Sequence, residues 1–104
     1  VYESINKARQ ASELMHKSDY KGAEQILREV LIHVPDDPNI LENMALCLVK
    51  TGRPEEALGY YEKISKLNPD SESCWIGWSG AYGALGRLED SARICREFLK
   101  KFPK

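Results

Sequence analysis

Proline stands at positions 35, 69 and 103, a spacing of 34 residues held twice in a chain of 104. A period of that length marks a repeat architecture, in which one supersecondary unit is copied and each copy packs on its neighbours. Starting the units at Ser4, Pro38 and Glu72 puts the three prolines at position 32 and divides the chain into repeats of about 4–37, 38–71 and 72–104. Other columns then align. Position 8 holds Ala11, Ala45 and Ser79, and position 20 holds Ala23, Ala57 and Ser91. Bulkier residues fill position 11 (Leu14, Leu48, Tyr82), position 24 (Leu27, Tyr61, Cys95) and position 27 (Val30, Ile64, Phe98).

Small residues at positions 8 and 20 let two antiparallel helices approach closely, where larger side chains would hold them apart. Leucine is therefore expected to be more damaging at Ala57, on the crossing, than at Ala81. Between the helices, position 15 is Gly52 and Gly86, which can close a helix through a left-handed conformation, and Ser18 in the first unit. Pro54 falls in the first turn of a helix, where its missing N–H is harmless. The proline at position 32 ends each second helix, because it drives the preceding residue out of the α region. Six helices are predicted, near 4–17, 20–33, 38–51, 54–67, 72–85 and 88–101. Acid–base pairs at i,i+4 (Glu13–Lys17, Glu24–Arg28, Glu62–Lys66, Glu89–Arg93, Glu97–Lys101) mark solvated faces. The expected class is all-α.

These columns resemble the tetratricopeptide repeat, three copies of which cover essentially the whole chain. The middle unit is nearest the family pattern, with Gly52, Ala57, Tyr61 and Leu67-Asn68-Pro69 in register. The third matches at Trp75, Tyr82, Gly86 and Pro103, with Ser79 and Ser91 in place of the usual small apolar pair. The first departs most, with Lys7 and Gln10 where the pattern favours Trp and Leu. The resemblance implies a right-handed superhelical α-solenoid whose first helices line a concave groove that binds peptides or proteins, without catalytic machinery.

The two ends of such a stack differ. Lys7 and Gln10 make the first unit look like a polar cap, whereas the last helix carries Leu88, Ala92, Cys95, Phe98, Leu99 and Phe102 with nothing to cover them. Phe98, Leu99 and Phe102 are the expected residues of any self-association, and the chain reads as one domain, 1–104, cut from a longer protein.

From the same resemblance, positions 2, 5, 6, 9, 12 and 13 face the groove. Candidate partner-binding residues are Arg9, Ser12 and His16 in the first unit, Asn39, Glu42, Asn43, Leu46 and Lys50 in the second, and Ile76, Gly77 and Gly80 in the third. Three glycines, Gly77, Gly80 and Gly83, on one helix are costly at roughly 1 kcal/mol each against Ala. Either a ligand backbone or second helix approaches there, or the chain balances the bulk of Trp75, Trp78 and Tyr82. Some family members clamp the terminal carboxylate of chaperone tails with basic and amide side chains. Those positions are Ala8, Ser12, Asn43, Ser73 and Gly77 here, and only Asn43 fits, so this chain is not expected to bind in that way.

Other chemistries find little support. Cys47, Cys74 and Cys95 are widely spaced and lie near no His pair, so no zinc site or disulfide framework is expected, and a reduced, cytoplasmic setting follows. Together with His16 and His33 they read as packing or surface residues. Asp36-Asp37 and Glu55-Glu56 sit at helix starts, where acidic residues favour the dipole. No nucleophile constellation, phosphate loop, cofactor or metal site is expected. A formal charge of -1 argues against nucleic acid and against a polybasic membrane anchor, and no apolar run reaches the ~18 residues of a membrane span. The sequence thus points to a non-catalytic interaction scaffold for a peptide or partner helix. The alternative is a structural module that forms a homo-oligomer through the last helix or the Gly-rich groove.

Overall fold

Each predicted stop is realised in the backbone. A computed structural model describes residues 2–103, with side chains from residue 5 onward; Val1 and Lys104, the outermost residues of the expected domain, lie outside the described residues. Six helices follow in order: α1 (Tyr2–His16), α2 (Tyr20–His33), α3 (Pro38–Lys50), α4 (Pro54–Leu67), α5 (Glu72–Ala84) and α6 (Leu88–Lys101). Ser18, Gly52 and Gly86 take positive φ of 65°, 81° and 75°. In each case the next amide folds back on the helix. Asp19 N donates to the Leu14 carbonyl at 2.8 Å, Arg53 N to Leu48 at 2.7 Å and Arg87 N to Tyr82 at 3.0 Å. That bond satisfies a carbonyl the helix end would otherwise orphan, and Ser18 achieves it without glycine's freedom.

The second helices end alike. Val34, Asn68 and Phe102, each before a proline, leave the helical region with ψ of 67°, 76° and 66°. Starts are capped by side chains in α2, α3 and α5: Asp19 accepts from Gly22 N, Asp37 from Asn39 N and Ile40 N, and Ser71 from Cys74 N. Pro38 and Pro54 occupy first-turn positions.

Helices pair as α1 with α2, α3 with α4, and α5 with α6. Successive pairs join through α2–α3, α4–α5 and a direct α3–α5 contact, which gives an all-helical right-handed solenoid measuring 39 × 25 × 22 Å. At the crossings Ala11, Ala23, Ala45 and Ala57 have no exposed surface, so the backbones meet with only methyl groups between them. The third crossing is polar. Ser79 Oγ and Ser91 Oγ lie 2.9 Å apart, and Ser91 Oγ also donates to the Ser79 carbonyl at 3.0 Å. Leu27, Met44, Leu48, Ile64 and Ile94 fill the core between layers.

Two sequence expectations need correction. Ala81 is 1% exposed, as buried as the crossing alanines, because α5 presents it to the pair interior, so it cannot serve as a tolerant reference for Ala57. The i,i+4 pairs Glu24–Arg28 and Glu62–Lys66 form, at 2.7 and 3.5 Å. In α6, however, Arg93 is placed by Asp90 and Glu97, at 3.7 and 3.9 Å, and Lys101 turns to Asp70 on the preceding turn at 3.8 Å. At the first layer Lys7 pairs with Glu29 of α2, as a polar outer face requires.

Ala84, exposed at the end of α5, is the proper comparison for the crossing. Ala57→Leu should cost on the order of 1–3 kcal/mol or abolish folding. Ala84→Leu should change stability by less than about 0.5 kcal/mol. Urea denaturation of both variants measures the difference.

Candidate functional site

Of the first helices, α5 packs directly on α3, and α1 shares a depression with α3. Ile76 is 62% exposed and Leu46 37%. Arg9, His16, Asn39, Lys50 and Gly80 are also exposed, while Ser12, Glu42, Asn43 and Gly77 are half-buried. Every residue expected in the groove is therefore solvent-accessible, though not every one contributes to a shaped site.

A shallow depression is lined by Met15, His16, Tyr20 and Leu46 and has a volume of about 210 Å³. It joins the ends of α1 and α2 to the middle of α3, and its walls are mostly apolar. His16 Nδ1 donates to the Ser12 carbonyl at 2.7 Å, so the imidazole is held against its own helix, with Nδ1 carrying the proton. Tyr20 was not foreseen. It opens α2 directly after the Asp19 cap, and its place in the site follows from the tight turn at Ser18.

Towards the third unit a tyrosine supports the surface from below. Tyr61 of α4 is almost wholly buried, and a Cβ built on Gly77 would stand 2.7 Å from its hydroxyl and 2.8 Å from its ring carbons. Gly77 is thus glycine because Tyr61 passes beneath it. Burial first, and then the negative charge of Glu42, push the Tyr61 pKa up to about 12, and the same causes push the Cys74 thiol up to about 12. Cys74 Sγ donates to the Tyr61 carbonyl at 3.4 Å, so α4 and α5 are tied together at this point. Sequence reasoning placed Tyr61 in a packing column and missed that it reaches the underside of Gly77. By contrast, a Cβ at Gly80 or Gly83 would meet nothing within 4 Å. Packing within the chain accounts for Gly77, though against Tyr61 of α4 and not against the expected Trp75, Trp78 or Tyr82, while open space lies over the other two.

Phe98, Leu99 and Phe102 sit apart from this surface on α6. Phe98 and Phe102 stack on each other with centroids 5.1 Å apart and are half-buried, whereas Leu88 and Leu99 remain 71% and 59% exposed. The column position that is buried as Leu27 and Tyr61 is exposed as Cys95.

Six helices in three stacked pairs, small residues at every crossing and a profile match to the tetratricopeptide repeat over residues 14–75 agree. The chain belongs to the tetratricopeptide repeat family. Domains of this family generally mediate protein–protein interactions. The chain is 32% identical over 91 residues to DnaJ homolog subfamily C member 3 of Gallus gallus, an alignment covering 88% of this chain and 18% of that protein. It thus spans less than a fifth of the length of the curated relatives it matches. Among solved structures, the P58(IPK) TPR domain superposes with a TM-score of 0.88 at 30% identity, over 96% of this chain and 28% of that one. The first TPR of Spaghetti (RPAP3) bound to the HSP90 peptide SRMEEVD superposes at 0.87 with 16% identity, over 97% and 80% of the two chains, which shows the shared fold. Among the described residues no helix is long and apolar enough to cross a membrane.

The contrast between the glycines predicts opposite signs at neighbouring positions. Gly77→Ala should destabilise by about 1–3 kcal/mol, because the new methyl overlaps Tyr61. Gly80→Ala should stabilise by up to about 1 kcal/mol, through helix propensity alone. Thermal or urea unfolding of the two variants checks both.

Proposed function

We propose that the chain is a non-catalytic recognition module, working as one domain, that binds an extended peptide or partner helix across α1, α3 and α5. The observation that carries this reading is the row of accessible, chemically varied side chains above a rigid floor. Arg9 and Asn43 occupy equivalent positions, and the Met15–His16–Tyr20–Leu46 depression offers an apolar recess between them and the α1–α2 turn. Asn43 offers donor and acceptor to a peptide backbone, Arg9 and Lys50 attract acidic groups, and Leu46 and Ile76 supply apolar contact. Open space at Gly80 leaves room for a ligand to lie close to α5.

The groove is not a carboxylate clamp of the chaperone-tail kind. Ala8, Ser12, Ser73 and Gly77 carry no charge, so only Asn43 could meet a terminal carboxylate at those positions. Specificity is assigned instead to the apolar recess and the flanking cations.

Selecting peptides from a random library on the intact chain and mapping the winners by amide chemical shifts tests this. Shifts should concentrate on Arg9, Asn43, Leu46, Lys50 and Ile76. Asn43→Ala and Gly80→Leu should weaken binding by about tenfold, or about 1.4 kcal/mol, without loss of stability. Glu62→Ala, on the opposite face, should leave affinity unchanged. Unaltered affinity in both groove variants would move recognition elsewhere, with the exposed face of α6 the next candidate.

A further inference from the structure

A second cleft lies away from the groove, between the flank of α2 and the α3–α4 turn. It is lined by Lys21, Glu24, Gln25, Arg28, Thr51 and Arg53 and encloses about 530 Å³. Glu24, 7% exposed, is the buried charged residue among those described. Arg28 donates Nε and Nη2 to its Oε2 at 3.1 and 2.7 Å, and Arg53 Nη2 donates to its Oε1. Arg53 is fixed further by Thr51 Oγ1, which accepts from Nε at 3.3 Å and Nη2 at 3.0 Å while donating to the Cys47 carbonyl at 2.8 Å.

The repeat supplies its own control for this cluster. The residue equivalent to Glu24 is Leu58 in the second unit and Ala92 in the third, so the architecture accepts an apolar group there. Arg87, equivalent to Arg53, instead pairs with Asp90 at 2.8 Å and lies over the Tyr82 ring at 4.9 Å. A buried ion pair is seldom more stabilising than an apolar replacement. Stability therefore gives no reason to converge two guanidinium groups on one carboxylate in the first layer.

The arrangement does leave directed positive charge. Among the described residues Arg28 Nη1 makes no hydrogen bond, Lys21 forms no ion pair, and Arg53 Nη1 meets Glu56 at 3.6 Å, beyond hydrogen-bond length. Three cations against Glu24 and the more distant Glu56 leave a net positive charge, and the guanidinium groups are already ordered, so a ligand need not bear that entropy. Burial opposes ionisation of Glu24, but its hydrogen bonds to Arg53 and Arg28 outweigh that and hold its pKa below the usual value, so it stays an anchoring anion. We propose that this cleft binds a phosphate monoester dianion carried on a phosphorylated serine or threonine of a protein partner, with Arg28, Arg53 and Lys21 as its ligands and Glu24 as the positioning residue. A dianion is drawn to the residual positive charge, and its oxygens suit forked N–H donors. The site shares no residue with the concave groove, so it stands whether or not the groove reading holds.

The test titrates the intact chain with a phosphoserine peptide, the same peptide bearing glutamate, and inorganic phosphate, followed by the Arg Nε–Hε NMR resonances. The phosphopeptide should saturate and shift Arg28 and Arg53, and should bind at least tenfold tighter than the glutamate peptide or free phosphate. Arg28→Gln and Lys21→Gln should each weaken it about tenfold. Lys66→Gln, an exposed cation on α4, should change it less than twofold. Lys21 lies outside the ion-pair network, so its variant reports binding even if Arg28→Gln perturbs folding. Absence of saturable shifts, equal binding of the glutamate peptide or free phosphate, or no loss on Lys21→Gln would each overturn the assignment.

Discussion

How closely two helix backbones can approach at positions 8 and 20 governs the rest of this molecule. Where Ala11 meets Ala23 and Ala45 meets Ala57, only methyl groups separate the helices, and dispersion contacts at native density follow. A pair crossing so tightly presents a narrow, ridged edge to the next pair. Leu27, Val30, Met44, Leu48 and Ile64 fill the resulting grooves without exposed surface. The contact of α3 with α5, and any surface the first helices form, follows from that stacking rather than from contacts made by the surface residues themselves.

Against this uniform frame, the individuality of the chain lies in its departures. Tyr61 in a column otherwise Leu27 and Cys95 forces glycine at 77 and brings an aromatic hydroxyl close beneath α5. Glu24 in a column otherwise Leu58 and Ala92 exchanges apolar burial for an ion network that spans two layers. Ser79 and Ser91 exchange a methyl contact for paired hydroxyls. A buried polar group is tolerated only when satisfied, and here each carboxylate or hydroxyl at these places finds a partner or an accessible edge. Trp78 differs: its buried Nε1 has no hydrogen-bond partner, and we have no physical account of it.

The period was legible because prolines, glycines and small residues act through the backbone, and backbone rules are local. Helix ends at Ser18, Gly52 and Gly86 came from that logic, as did the non-helical residues before Pro35, Pro69 and Pro103. What stayed hidden were contacts between columns: the reach of Tyr61 to Gly77, the entry of Tyr20 beside Leu46, the burial of Ala81 and the convergence of Arg53 on Glu24, 29 residues away. A periodic alignment compares like positions with like. It says nothing of which unlike positions meet when layers rotate on one another.

The claim that residue size at the crossing, rather than any polar interaction, sets the geometry is most directly tested at the one crossing that is polar. A double-mutant cycle on Ser79→Ala and Ser91→Ala, read by urea denaturation, separates the two effects. Each single change removes one hydroxyl of the pair while the other keeps a further partner, Ser91 Oγ the Ser79 carbonyl at 3.0 Å and Ser79 Oγ the Cys95 Sγ at 3.0 Å. Each should therefore cost at most about 1 kcal/mol, and the double variant, with an alanine pair like those of the first two units, should be at least as stable as the parent. A double variant less stable than either single one would contradict the account and show that the hydroxyl pair holds α5 and α6 together.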